Sequence, residues 1–219
     1  MSVPIVPAVI PQSGDALRAA FAQLDFAPEL SIDVVDGEFV PFTSWPYEPP
    51  GDPAAISHLL TSRTVEVDLM VREQLAAATK WQAAGADMVV FHLPGITVED
   101  FARFAETARV SCGVSLLNGT PLVDLAPFVP YADYLQFMGI AEIGSQGQPF
   151  DTRVLDRIRA AKAAYPELPI TVDGSVNEAT LAELVAAGAD RLIVGSAIVK
   201  AADPAAAYDR LVAACTGAQ

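Results

Sequence analysis

The chain reads as an eight-stranded (β/α)8 barrel, a TIM barrel, on three observations. Eight short apolar runs recur along it, amphipathic segments separate them, and one helix–strand junction is repeated at about half the chain length. At 219 residues the chain is long enough for one such barrel, so residues 1–219 are expected to form a single domain.

The runs expected as strands are Val3–Val9, Leu30–Val34, Val65–Met70, Met88–His92, Cys112–Leu116, Tyr134–Met138, Ile170–Asp173 and Arg191–Val194. Such short apolar runs suit parallel strands, and the intervening segments of about ten to fifteen residues suit crossover helices. Several helix ends are legible. Asp151 precedes the amphipathic Thr152–Arg159 and is expected to cap it, and Asn177 plays the same part ahead of Glu178–Ala187. Gly85 and Gly188 follow helical runs and suit a left-handed helix terminus. They also carry the repeat. Ala84-Gly85-Ala86-Asp87 enters the fourth strand, and Ala187-Gly188-Ala189-Asp190, 103 residues on, enters the eighth.

One connection is long. Residues Glu38–Pro53 hold five prolines with Phe42, Trp45 and Tyr47, and they follow the second strand, at the end where barrel enzymes place their sites. A substrate lid and a rigid cover at an oligomer interface are both open for it.

Composition excludes several functions. Hydrophobic residues make up 52% of the chain, which argues against disorder. A net charge of −14 repels nucleic acid and anionic membranes. Cys112 and Cys215 have no metal-ligand spacing and no disulfide framework, so both are expected to be buried apolar residues. The start of the chain lacks the basic region of a signal peptide, and no run approaches the roughly 18 apolar residues of a membrane span. A cytoplasmic location is the expectation.

The chemistry-bearing residues gather at strand ends. Asp33, Asp68 and Asp173 lie in or at the end of the second, third and seventh strands. Acids inside apolar strands are costly unless paired, protonated or metal-bound, and a barrel brings such positions to one mouth. Asp36, by contrast, precedes Gly37 and reads as a turn residue. Opposite the acids lie the turns Gly144-Ser145-Gln146-Gly147-Gln148, Gly174-Ser175-Val176-Asn177 and Gly195-Ser196-Ala197-Ile198. Backbone N–H groups at such turns can cradle a phosphate without a lysine.

These residues together resemble the ribulose-phosphate 3-epimerase family over nearly the whole chain, which implies the ribulose-phosphate-binding type of barrel. The resemblance rests on Ile32–Pro41, Val65–Met70, Phe91-His92, Thr120-Pro121-Leu122, Met138, Gly147–Phe150, Val172–Asn177 and Gly195–Ile198. Thr120-Pro121-Leu122 matches the start of that family's fifth helix. The resemblance implies a metal-dependent isomerase acting on a ketose phosphate, with Asp33 and Asp173 exchanging the C3 proton on opposite faces and also ligating the metal. It places Gly147, Gly174, Ser175, Gly195 and Ser196 at the phosphate and Met138 beside the enediolate, and a homo-oligomer is expected.

The residues nearest the expected metal depart from the family. Ser31 and Asp68 stand where the family has two metal-binding histidines, and Ala8 and Pro11 replace two serines. The loop after the sixth strand is one residue longer and contains Glu142. A metal set of Asp33, Asp68 and Asp173 favours Mg2+ or Mn2+ over Zn2+. His92 reads either as a core histidine or as a group facing the mouth, Gln136 as an interior polar contact, and His58 as structural or surface. Other barrel chemistries lack their residues. Lys80, Lys162 and Lys200 are not at strand ends, as a Schiff-base aldolase requires, and the Asp-x-Lys-x-x-Asp pattern of the decarboxylase relatives is absent after Asp68. A binding protein that kept the barrel without catalysis remains a third reading.

Overall fold

The computed structural model describes residues 3–144 and 147–217, so Ser145 and Gln146 of the glycine-rich turn lie outside it. Eight parallel strands close in sequence order: β1 Ile5–Val9, β2 Glu29–Val35, β3 Thr64–Met70, β4 Met88–His92, β5 Ser111–Leu116, β6 Tyr134–Met138, β7 Ile170–Asp173 and β8 Arg191–Val194. Each expected strand is present, with ends shifted by at most two residues. The helices are α1 Gly14–Gln23, α2 Ser57–Leu60, α3 Gln74–Ala84, α4 Val98–Ala105, α5 Arg153–Ala164, α6 Leu181–Ala187, α7 Ser196–Val199 and α8 Pro204–Gly217. Among the described residues no helix is long and apolar enough to cross a membrane.

Alternation along the strands sorts the side chains into two environments. Outward positions such as Leu30, Ile32, Val65, Val67, Val89, Phe91, Leu135 and Phe137 join the helices in one continuous apolar shell. Inward positions are unusually polar. Ser31, Asp33, Glu66, Asp68, His92, Ser115, Gln136, Thr171 and Arg191 are all buried, where barrels of this type more often stack branched aliphatic residues. This interior can persist only because most of its groups are bonded to one another. In the lower layer, Arg191 reaches Glu66 at 2.7 Å and Glu29 at 3.0 Å. Tyr134 donates to Glu66 at 2.8 Å and Ser31 donates to it at 3.3 Å.

The repeated junction has a physical basis. Gly85 and Gly188 both end helices with φ of +110°, a conformation that costs a side-chain-bearing residue. The aspartates that follow fasten neighbouring strands, because Asp87 accepts from the N–H of Val65 at 2.9 Å and Asp190 from that of Ile170 at 2.7 Å. Asp133 does the same for Cys112 at 2.8 Å ahead of β6, so the device serves three of the four even-numbered strands.

Three helical expectations are corrected. After β5 there is no fifth helix of ordinary length, only the 3-10 turns Leu122–Leu125 and Val129–Tyr131. Pro121, Pro127 and Pro130 deny that stretch the N–H donors of a regular helix. After β2 the helical part is likewise short, a 3-10 turn Pro53–Ile56 followed by α2. Asn177 accepts from the N–H of Ala179 at 2.9 Å, but this makes a turn, and regular helix begins only at Leu181. Asp151 accepts from the N–H of Arg153 at 3.1 Å, at the start of α5. His58 is exposed, and Cys112 and Cys215 are buried free thiols.

The long connection after β2 divides into two parts. Ser44 binds back to Val35 through its backbone N–H and its hydroxyl, both at 2.9 Å. Trp45 is buried edge-on against Trp81, with ring centres 6.0 Å apart. Phe39 and Val40 lean the other way, onto the apolar cluster of Val35, Met70, Met138, Ile140 and Ile143 at the barrel mouth. The connection therefore roofs part of the mouth and is anchored on the outside of the barrel.

Candidate active site

The β2–β3 ladder pairs Asp33 with Asp68, and the β6–β7 ladder pairs Met138 with Asp173. Closure of the barrel then brings one carboxylate oxygen from each of Asp33, Asp68 and Asp173 within 4.8 Å of the others. The three expected acids do converge. Asp33 and Asp173 line a hollow of about 260 Å3 at the mouth, together with Met138, Gly147, Gly174, Ser175, Gly195 and Ser196. Every residue expected at the substrate therefore lines it. Asp68 is buried beside the other two acids, outside that lining. A larger open groove of about 1250 Å3 runs between α1 and the β2–α2 connection, and none of the acids lines it.

The charge distribution is one-sided. Burial, and behind it the charges of Asp173, Asp68 and Glu66, raises the Asp33 carboxyl well above the ordinary carboxylate range. Burial, then Asp68 and Glu66, pushes Asp173 up to about 8, while a backbone hydrogen bond at Gly174 pulls the other way. Oδ1 of Asp33 is buried without a hydrogen-bond partner among the described residues. No lysine or arginine is among the described residues lining the hollow.

That combination fits a hard divalent cation. Three carboxylates offer all-oxygen ligation, an unpartnered buried oxygen belongs to the cluster, and the mutual repulsion of the acids is what a cation would relieve. Ser31 does not join the set, because its hydroxyl donates to Glu66 in the layer below. Asp68 has both oxygens engaged: Oδ1 contacts Nε2 of His92, and Oδ2 accepts from Nε2 of Gln136 at 2.6 Å. His92 thus faces the interior and bonds a site carboxylate. Gln136 also belongs to the site, a role its position inside an apolar strand did not reveal.

The glycine and serine turns beside the hollow are shaped by their backbone. Gly174 has φ of +96° and Ser175 of +53°, and a Cβ at Gly174 would stand 2.8 Å from the side chain of Ile140. Ser175 is a non-glycine residue in the left-handed region, a conformation retained only where surroundings demand it. Its hydroxyl donates to the carbonyl of Gln148, and its own carbonyl accepts from Asn177 at 2.9 Å and Thr180 at 2.8 Å. The loops after β6 and β7 are thereby tied together around the hollow.

Comparisons with known proteins point the same way. Residues 4–199 match the family model described as the ribulose-phosphate 3 epimerase family. The chain is 32% identical over 213 residues to ribulose-phosphate 3-epimerase of Mycobacterium tuberculosis, covering 94% of this chain and 90% of that protein. It is 31% identical over 181 residues to ribulose-phosphate 3-epimerase of Aquifex aeolicus, covering 80% and 78%. In fold it is similar to 3-hexulose-6-phosphate synthase from Salmonella typhimurium, with a TM-score of 0.73 at 19% identity over the full length of both chains. With that match spanning all eight strands, the chain belongs to the ribulose-phosphate 3-epimerase family, a family of isomerases.

Proposed function

We propose that this chain epimerises a ketose phosphate at C3, ribulose 5-phosphate and xylulose 5-phosphate or a close relative, by proton transfer through Asp33 and Asp173. The observation that carries the reading is a pair of carboxyls, Asp33 and Asp173, lining one small hollow that Gly147, Gly174, Ser175, Gly195 and Ser196 also line. Inversion at a carbon needs a base on one face and an acid on the other. Asp33, buried, and Asp173, half-buried, can take those two roles, one as base and the other as acid.

Asp33, Asp68 and Asp173 would hold a divalent cation, with Mg2+ or Mn2+ favoured over Zn2+ by the all-oxygen donors. When bound, it supplies positive charge that stabilises the negative charge developing on the substrate's carbonyl oxygen. Asp33 and Asp173 remove and return the C3 proton. Met138, Ile140 and Met70 keep water away from the reacting carbons. Gly147, Gly174, Ser175, Gly195 and Ser196 bind the phosphate, and, with no lysine or arginine among the described residues lining the hollow, the cation would be the counter-charge for an anionic substrate.

The test is solvent exchange. Ribulose 5-phosphate is incubated with the protein in deuterium oxide, with Mg2+, Mn2+ or Zn2+ added in turn, and the C3 proton is followed by NMR. Deuterium at C3 and formation of xylulose 5-phosphate are expected, with Asp33→Asn and Asp173→Asn each lowering the rate by about 10²–10⁴-fold. Absence of exchange with every metal would exclude this function.

A further inference from the structure

We infer that His92 and Gln136 are positioning residues that aim the Asp68 carboxylate at Asp33 and Asp173, making Asp68 competent as a cation ligand. The inference rests on the cation site proposed above and concerns how this chain builds it.

Ser31 is turned away to Glu66, so the acids are left as a set of three, and the set depends on each of them. Asp68 is buried on β3. A buried carboxylate beside two others would rotate away from them unless its plane were held. Two nitrogens from different strands hold it: Nε2 of His92 on β4 contacts Oδ1, and Nε2 of Gln136 on β6 donates to Oδ2 at 2.6 Å. Each oxygen accepts one hydrogen bond and keeps lone-pair capacity for a further contact. Rotation would break both bonds.

The backbone of His92 is held by a side chain, and its ring lies against another. The β3–β4 ladder ends at the pair Leu69 and Phe91, leaving the next backbone groups of β4 without a partner on β3. Gln74, the first residue of α3, fills the gap with its side chain. It accepts from the N–H of His92 at 2.7 Å and donates to the His92 carbonyl at 2.9 Å. The Phe39 ring lies beside the imidazole, with centres 5.9 Å apart. The other donor, Gln136, has its amide nitrogen 3.8 Å from the sulfur of Met138. Donors of this kind behind metal ligands fix ligand orientation, and their loss typically costs about 10–100-fold in metal affinity.

The experiment reads cation affinity without turnover. Wild type, His92→Gln, His92→Leu and Gln136→Met, all stripped with EDTA, are titrated with MnCl2, and free Mn2+ is followed by electron paramagnetic resonance. Asp33→Asn sets the background from surface acids, and melting temperatures in EDTA are recorded in parallel. His92→Leu and Gln136→Met are expected to weaken Mn2+ binding by about 10–100-fold, and His92→Gln, which keeps an N–H donor, to regain part of the loss. Should the leucine and methionine variants bind Mn2+ within about twofold of wild type, the positioning role is overturned while the cation site stands. It is likewise overturned if those variants only melt earlier, with affinity unchanged. Should wild type take up no Mn2+ beyond the Asp33→Asn background, the cation site fails and this inference fails with it.

Discussion

Replacing Arg191 with methionine should destabilise the barrel by leaving the Glu66 charge inside it without a counter-charge. The Arg191 side chain is 11% exposed and that of Glu66 is fully buried, with 2.7 Å between Nη1 and Oε2. Burial works against the guanidinium's charge, but Glu66, Tyr134 and Glu29 outweigh it and hold the proton more tightly than usual. Methionine fills much of the volume with flexible apolar atoms. Glu66 would keep the hydroxyls of Tyr134 and Ser31 but lose its counter-charge. Its repulsion of Asp33 and Asp173 in the layer above would persist. Removing one member of a buried pair costs about 3–5 kcal/mol. At roughly 2–4 °C per kcal/mol for a domain of this size, the melting temperature should fall by about 6–20 °C. Circular dichroism melts at neutral pH measure it. The double variant Glu66→Gln with Arg191→Met should recover most of the loss, because removing both charges is close to neutral. An Arg191→Met protein that melts within about 2 °C of wild type would refute the reasoning, as would a double variant no more stable than the single one.

Two further outcomes follow from the mouth. Asp33 and Asp173 have raised proton affinities in the folded, cation-free protein, so between the ordinary carboxylate range and pH of about 8 the folded state binds more protons than the unfolded chain. Stability in EDTA should therefore fall as pH rises through that window, with a melting temperature higher near its acid end than at about pH 8. Mn2+ should restore stability most at the alkaline end, and a profile in EDTA that is flat across the window would contradict the assignment. Gly139→Ala should place a methyl group 2.1 Å from the carbonyl of Gly174, where Gly139 also donates to the Asp173 carbonyl at 2.6 Å. Displacing that backbone should cost about 1–3 kcal/mol and weaken ribulose 5-phosphate binding in calorimetry; unchanged affinity would separate Gly139 from the site.

The strands were legible because a parallel barrel writes each of them as a short apolar run, and the outward residues that make up those runs are the ones that meet the helices. The acids were legible for the opposite reason: Asp33, Asp68 and Asp173 interrupt those runs, and a charge placed there must be answered. The missing helix after β5 was a matter of weighing Pro121, Pro127 and Pro130 against the strand–helix rhythm, and the prolines won. The bonds from His92 and Gln136 to Asp68 had no local signal. They join residues 24 and 68 positions apart, and neither contact has a sequence period.

By itself, then, the sequence determined the eightfold architecture, the family, and which acids and glycine turns reach the mouth, because periodicity and side-chain alternation decide which face each residue occupies. Only the tertiary structure decided which polar groups answer one another: Ser31 to Glu66, Arg191 to Glu66 and Glu29, and His92 and Gln136 to Asp68. Ser31–Glu66 and His92–Asp68 follow from the register of neighbouring strands, whereas the Arg191 and Gln136 contacts are set by closure of the barrel, which brings side chains from non-neighbouring strands together across its axis.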